Sequence, residues 1–225
     1  MTTEKNDSEI ENELKKLGYW NTLYSEKNYF GTGPTLLALF AKDIIQKYSV
    51  QNILELGCGQ GRDSIFFASI GCNVTGTDIS KKAIDFVTEI KKQENLDNLK
   101  LFIHDVRKPF DFSDTDFDLV YSNLALQFFD IRQLSNIFSN IKKIMKKNSF
   151  FLFSTKKPGD KYFNFGQKIS KNAFESKGIT RYFYDKYDIQ KLLEEKYFTM
   201  LHFDDEQHTN PDKTISVWWK ILVKI

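Results

Sequence analysis

From Val50 onward the chain alternates short apolar runs with segments whose apolar residues recur every three or four positions, a repeated switch between strand and helix periods. VQNILEL reads as a strand and the stretch from Arg62 to Ile70 as a helix. NVTGTD is a second strand, and Ser80 is placed to cap a helix carrying Ala83, Ile84, Val87 and Ile90. LKLFIHD and FDLVYSN follow as third and fourth strands. A helix with Ile131, Leu134, Ile137, Phe138, Ile141 and Met145 on one face then leads into SFFLFST, a fifth strand. Strands alternating with amphipathic helices predict βαβ units, a parallel sheet and helices on both of its faces.

The ends depart from this rhythm. Residues 8–29 start with a helical pattern and turn aromatic and irregular; after FGTGP, Pro34 can open a helix in which Leu36, Leu37, Phe40, Ile44, Ile45 and Tyr48 recur at helical spacing. At the other end, a helix over Asp185–Lys196 leads to YFTMLHF, a charged loop DDEQHTNPDKT, and ISVWWKILVKI; two strands joined by such a loop pair antiparallel. The fold expected is α/β, a doubly wound, seven-stranded, mostly parallel sheet with an antiparallel C-terminal strand. Between the fifth strand and the last helix lie about thirty residues with seven aromatics, too long for a simple connection and too aromatic for disorder. They read as a cap. The organisation is one domain over 1–225: an N-terminal lid (1–35), a core (36–155), the cap (156–184) and a C-terminal helix with a strand pair (185–225).

Composition adds mainly exclusions. The 225 residues suit one domain with a sizeable core, and 41% hydrophobic and 15% aromatic content is that of a globular chain. No apolar run approaches the ~20 residues of a membrane span, and the polar start, MTTEKNDSEIENELKK, has no signal-peptide core, so the expected location is the cytoplasm. The 32 basic and 30 acidic residues are spread along the chain, and Lys142, Lys143, Lys146 and Lys147 fit a solvent-facing helix side; this argues against a nucleic-acid partner. Cys58 and Cys72 lack any metal-ligand spacing and read as buried free thiols, with no metal expected.

The chemistry concentrates at strand ends. In ILELGCGQGRD, Gly57, Gly59 and Gly61 follow the first strand at once. In a doubly wound sheet such a turn lets the backbone curl and approach a ligand at the carboxyl edge, and Gly61 lets a helix pack closely. The spacing is E-x-G-x-G-x-G, not the G-x-G-x-x-G of dinucleotide sites, and Glu55 so near the turn suits a ligand with an ammonium group. That points to S-adenosylmethionine. Asp78 at the end of strand two can accept both hydroxyls of a ribose. Asp105 and the backbone of Val106 can meet an adenine, and Asn123 and Leu124 end the fourth strand where a sulfonium methyl would lie.

These stretches resemble the class I S-adenosylmethionine-dependent methyltransferases: ILELGCGQGRD, VTGTDIS, HDV and FDLVYSNLALQFF stand in the order of that family's motifs over residues 50–155. YW-x-x-x-Y followed by FGTGP, and GDKYFNFGQKISKNAFE followed by RYFY, are similar to the tellurite-resistance-type and thiopurine-type members, in which the N-terminal stretch closes over cofactor and substrate. The resemblance adds Cys58, Arg62, Asp63, Ile79 and Ser80 to the cofactor set, with Trp20, Tyr24 and Gly33 from the lid. It offers Phe30, Phe128, Tyr162, Arg181, Tyr182 and Tyr184 as acceptor-side candidates. It implies an enzyme that uses S-adenosylmethionine, releases S-adenosylhomocysteine and methylates a small molecule, with a soft thiol or chalcogen as one acceptor class. The alternatives are a methyltransferase of protein or RNA, and a non-catalytic binder of S-adenosylmethionine or a nucleotide. The fourth strand reads SNLA where nucleic-acid amino methylases carry N/D-PP-Y/F. No catalytic base is identified among His104, His202 and His208, and the sequence is silent on the oligomeric state.

Overall fold

The computed structural model describes residues 7–26, 31–110 and 117–225, with side chains from residue 15 onward. Among the described residues, ten strands and six helices are formed, alternating as expected through the middle of the chain. They are α1 (Asp7–Leu23), α2 (Leu36–Tyr48), β1 (Asn52–Leu56), α3 (Arg62–Ser69), β2 (Asn73–Asp78), α4 (Lys81–Gln93), β3 (Leu99–Ile103) and β4 (Phe117–Asn123). A short 3-10 turn (Leu126–Phe128) precedes α5 (Ile131–Ile144) and β5 (Met145–Lys156). The cap holds β6 (Gln167–Ser170), β7 (Ala173–Ser176) and β8 (Ile179–Tyr182); α6 (Lys186–Glu195), β9 (Thr199–Thr209) and β10 (Ile215–Lys224) complete the chain.

Seven strands form one sheet in the order β3-β2-β1-β4-β5-β10-β9. β1 pairs in parallel with both β2 and β4, so the chain order reverses there and the carboxyl end of β1 opens a crevice. β10 runs antiparallel to β5 and to β9, which makes it the one reversed strand, as the alternation and the final strand pair imply. β1 is buried along nearly its whole length because helices cover both faces. On one face α2, α3 and α4 pack over Ile53, Val74, Leu119 and Tyr121; on the other, α5 and α6 pack over Leu54, Val120, Phe151 and Phe153.

Local sequence sets the helix starts. Ser80 Oγ accepts from the Ala83 amide, as expected of an N-cap, and Asp130 forms a capping box with Gln133. Pro34 does not enter α2; it precedes Thr35, whose side chain caps the helix by accepting from the Ala38 amide. The loop expected over DDEQHTNPDKT is mostly strand, since β9 continues to Thr209 and pairs Asp204 with Lys220, Glu206 with Trp218 and His208 with Ser216. The charges are tolerated because β9 is an edge strand whose acids find cations: Lys220 to Glu206 at 2.5 Å and Lys157 to Asp205 at 2.6 Å. Trp218 and Trp219 point to opposite faces as expected; the Trp218 indole donates to Glu206, while Trp219 donates to the Tyr184 carbonyl and packs on the core.

The fully buried ring of Phe138 meets Phe151, Phe153 and Phe198, joining α5 to β5 and the segment after α6. Phe138→Ala is expected to lower unfolding free energy by about 3–5 kcal/mol. Urea denaturation followed by circular dichroism checks this, and a loss below about 1 kcal/mol would mean the ring is not the joint described.

Candidate functional site

The glycine turn is fixed from two sides. All three glycines adopt left-handed φ angles: 71° at Gly57, 52° at Gly59 and 77° at Gly61. A Cβ on Gly57 would lie 2.5 Å from the Ala125 Cβ, and one on Gly61 would lie 2.6 Å from Val87 of α4. These two glycines therefore serve close packing within the protein, Gly61 against a helix as expected. Gly59 is the one whose bare face meets the lid: a Cβ there would stand 2.9 Å from the Tyr24 hydroxyl.

Asp78 anchors the turn. One carboxylate oxygen accepts the Gly59 amide at 2.9 Å and the other accepts the Ser80 amide at 2.8 Å. Each oxygen keeps a further lone pair. The register places Ile103 beside Asp78, and Ile79 and Ile103 are 38% and 56% exposed, an apolar ledge next to a polar anchor. A ribose bound at Asp78 with its flat base laid on that ledge would cover apolar surface, so the residues present fit an adenosyl ligand. A ligand reaching Gly59 has to share that face with Tyr24.

Glu55 and Asp63 lie deeper. Glu55 is buried below the turn, where Ser64 donates to it through a very short hydrogen bond. It makes no surface pair with Arg62, whose Nε donates to the Gly33 carbonyl at 2.8 Å. Asp63, expected among the cofactor residues, is spent on the protein: it accepts from the Thr35 amide and hydroxyl, both at 2.8 Å, and from the Tyr121 hydroxyl at 2.6 Å. Burial, then the charge of Asp63, pushes the Glu55 carboxyl well above its ordinary range. Burial also raises Asp63 and Asp78, against the hydrogen bonds each accepts. The charge of Arg62 opposes the rise at Asp63. Cys58 and Cys72 are buried free thiols, and Cys58 is pushed up by burial and by Asp78.

The other strand ends are partly occupied. Arg107 grips Asp105 with Nε at 2.9 Å and Nη2 at 2.6 Å; burial pushes the acid up, but these bonds outweigh it and hold the carboxyl below its ordinary value. The proposed adenine contact at Asp105 thus competes with a guanidinium, while Val106 packs against the core beside it. Leu124 has φ 52°, a conformation costing a bulky residue about 1–3 kcal/mol. It is held there by Ser154, whose hydroxyl accepts the Leu124 amide at 2.9 Å and donates to Asn123 Oδ1 at 2.6 Å.

The lid lies over this turn. Trp20 stacks on Tyr24 and meets Phe128 edge-on at 4.9 Å. Three polar contacts that the sequence does not reveal latch it: Ser80 to Asn21 at 2.7 Å, Lys82 to Ser25 at 2.8 Å and Gln60 to the Glu26 carbonyl at 2.7 Å. Phe30 lies outside the described residues. On the cap, the Arg181 guanidinium lies 4.6 Å from the Tyr162 ring centroid and 5.8 Å from that of Phe128. The acceptor candidates thus divide. Tyr184 is built into the core, its hydroxyl donating to the Phe129 carbonyl, and Tyr182 packs partly against the same core. Of the histidines, His104 stacks on Phe110 and its amide donates to the Asp78 carbonyl, His202 packs at a tilt on Phe40 of α2, and His208 lies in the edge strand β9, not in the polar loop expected for it.

Comparison with known proteins gives a consistent picture. The family model described as tellurite resistance protein TehB matches residues 23–211. A probable S-adenosyl-L-methionine-dependent methyltransferase TehB of Haemophilus influenzae is 31% identical over 91 residues, 40% of this chain and 31% of the relative, so the chain spans under a third of that protein's length. The crystal structure of TehB from Haemophilus influenzae superposes with TM-score 0.64 at 18% identity, covering 93% of this chain and 66% of the other. A 1,6-didemethyltoxoflavin-N1-methyltransferase of Burkholderia thailandensis superposes with TM-score 0.71 at 13% identity, covering 100% and 92%. The fold is therefore the Rossmann-like one of these methyltransferases. Among the described residues, no helix is long and apolar enough to cross a membrane.

The raised acids have a consequence for stability. A carboxyl whose folded pKa exceeds its unfolded value, about 4.3 for Glu, keeps a proton that the unfolded chain gives up. Its contribution is whole below that unfolded value and declines as pH rises toward the folded one. Thermal midpoints of the ligand-free protein are expected to fall with rising pH above about 4.3, and Glu55→Gln to flatten that fall. A variant with the wild-type slope would show that Glu55 is ionised in the folded state.

Proposed function

The chain belongs to the tellurite resistance protein TehB family of class I S-adenosylmethionine-dependent methyltransferases, and on that premise we propose that it transfers a methyl group to a small molecule bearing a soft nucleophile, a thiolate or chalcogen anion. The observation that carries the reading is the left-handed glycine turn clamped by Asp78 at the next strand end. Bound there, the cofactor supplies a methyl group already activated on a sulfonium. The chain's own residues do the rest by placement. Asp78 offers lone pairs to ribose hydroxyls, Ile79 and Ile103 cover the purine, and the Ser154-held backbone at Asn123–Leu124 borders the methyl. Trp20 against Phe128 shuts the mouth of the crevice, which excludes water and orients the acceptor.

Two features support a small acceptor and a third a soft one. The lid and cap meet through Phe128, which leaves room for a small molecule more readily than for a folded macromolecule. The Burkholderia 1,6-didemethyltoxoflavin-N1-methyltransferase, which shares the fold over the full chain, holds 1,6-didemethyltoxoflavin together with S-adenosylhomocysteine. The His104 ring is stacked on Phe110 and the other two histidines lie on β9, and an acceptor already ionised needs no general base.

Calorimetric titration tests the reading directly. S-adenosylmethionine and S-adenosylhomocysteine are expected to bind and NAD to give no heat. Asp78→Asn is expected to weaken S-adenosylmethionine by about tenfold or more, the loss of a charge-assisted hydrogen bond. NAD binding in place of the sulfonium compound would replace the methyltransferase reading with a dinucleotide one.

A further inference from the structure

Within the cap, one cation is conspicuous for what it lacks. Arg181 sits on β8, which packs against the 3-10 turn that follows the carboxyl end of β4. It is partly buried, yet among the described residues no carboxylate lies within 4 Å of it and no protein acceptor takes its N–H groups. The acids around it are already engaged: Asp160 by Lys156 at 2.5 Å, Glu175 by Thr180 at 3.1 Å and Asp185 by Asn172 at 2.9 Å. What Arg181 does have is aromatic company, the rings of Tyr162 and Phe128. Ring contacts use the face of a guanidinium and leave its edge, where the hydrogen-bond donors lie, for a partner.

The surroundings are positive as well. Lys156 and Lys161 lie close by; Asp160 pairs with Lys156 and accepts the Tyr162 and Val217 amides, and Lys161 also acts on Asp212. Burial, together with Lys161 and Arg181, lowers the Lys156 pKa although Asp160 opposes the change. Phe128 completes the placement, since the ring beside Arg181 is the one that Trp20 of the lid covers.

We propose that Arg181 is the specificity residue of the acceptor chamber, receiving through its guanidinium edge a carboxylate carried by the methyl acceptor at a distance from the nucleophilic atom. The fork of a guanidinium matches the two oxygens of a carboxylate, and the flanking rings suit an acceptor with a flat apolar body. This rests on the methyltransferase reading above, and the two fail separately.

The test is calorimetric titration of the protein loaded with S-adenosylhomocysteine, using 4-mercaptobenzoate and thiophenol, a pair that differs only in the carboxylate. Wild-type protein is expected to bind 4-mercaptobenzoate about tenfold or more tighter than thiophenol. Arg181→Gln should bring that ratio to about one and Arg181→Lys should leave an intermediate value, since lysine keeps the charge without the fork. Each variant must still bind S-adenosylhomocysteine as the wild type does, which shows that it is folded. Equal affinities in the wild type, a ratio that survives Arg181→Gln, or no binding of either thiol overturns the assignment. Failure of the methyltransferase reading shows earlier, as wild-type protein that does not take up S-adenosylhomocysteine at all.

Discussion

The hydrogen bond between the Gly59 amide and the Asp78 carboxylate joins everything else in the site. It ties the turn after β1 to the end of β2 at the point where the sheet reverses its order, and so sets the shape of the crevice floor. Left-handed backbone at three glycines within five residues is costly in conformational freedom, and it holds only because Ala125, Val87 and Asp78 leave the chain no alternative. The same carboxylate takes the Ser80 amide, which starts α4 on the register that presses Val87 into Gly61. One buried acid therefore couples the turn, the helix behind it and the ledge formed by Ile79 and Ile103.

The enclosure hangs on these elements too. Ser80, which caps α4, also donates to Asn21 of the lid, and Lys82 in the next turn reaches Ser25. Asp63 at the start of α3 holds Thr35, the residue where the chain leaves the lid and enters α2, and Tyr121 of β4 completes that knot. A change in the glycine turn is thus felt at both ends of the lid. The cap meets the same structure from the other side, through Phe128 and Arg181.

Where the determinants are close in sequence, they were legible. The turn, its glycines and Asp78 belong to a stretch of under thirty residues whose alternation of strand and helix periods can be read directly. Ser80 as a cap is equally local. The polar anchors are another matter: Asp63 binds Thr35 across 28 positions and Tyr121 across 58, and Ser80 meets Asn21 across 59. No periodicity announces such pairs. The extension of β9 through Asp204–Thr209 was hidden because its charges imitate a loop, and only the cations of Lys157 and Lys220 across the sheet explain them. Leu124 carries a left-handed backbone with no glycine or asparagine to signal it, since Ser154 on the neighbouring strand imposes it. The cap was recognisable as a folded segment from its aromatics, but its three-stranded sheet was not, because β6–β8 are four residues each.

The charges make a further kind of sense when both ends of the crevice are considered together. Beneath the turn lie three buried acids whose burial disfavours their ionised forms in the free protein, with Arg62 opposing this at Asp63. Around the carboxyl end of β5 lie Arg181, Lys156 and Lys161, with Asp160 paired to Lys156. On the proposed function, an anionic acceptor is drawn to the second end, and a sulfonium bound at the first would favour the ionised forms of the acids beneath it. As the acceptor's sulfur forms its new bond to the methyl carbon, the electron pair of the broken bond stays on the former sulfonium, and both reacting charges vanish. Low dielectric strengthens the attraction between opposite charges before transfer. It offers no comparable attraction between the neutral sulfurs afterwards, so the pull between the reacting atoms ends with the transfer, while a carboxylate elsewhere on the acceptor keeps its charge.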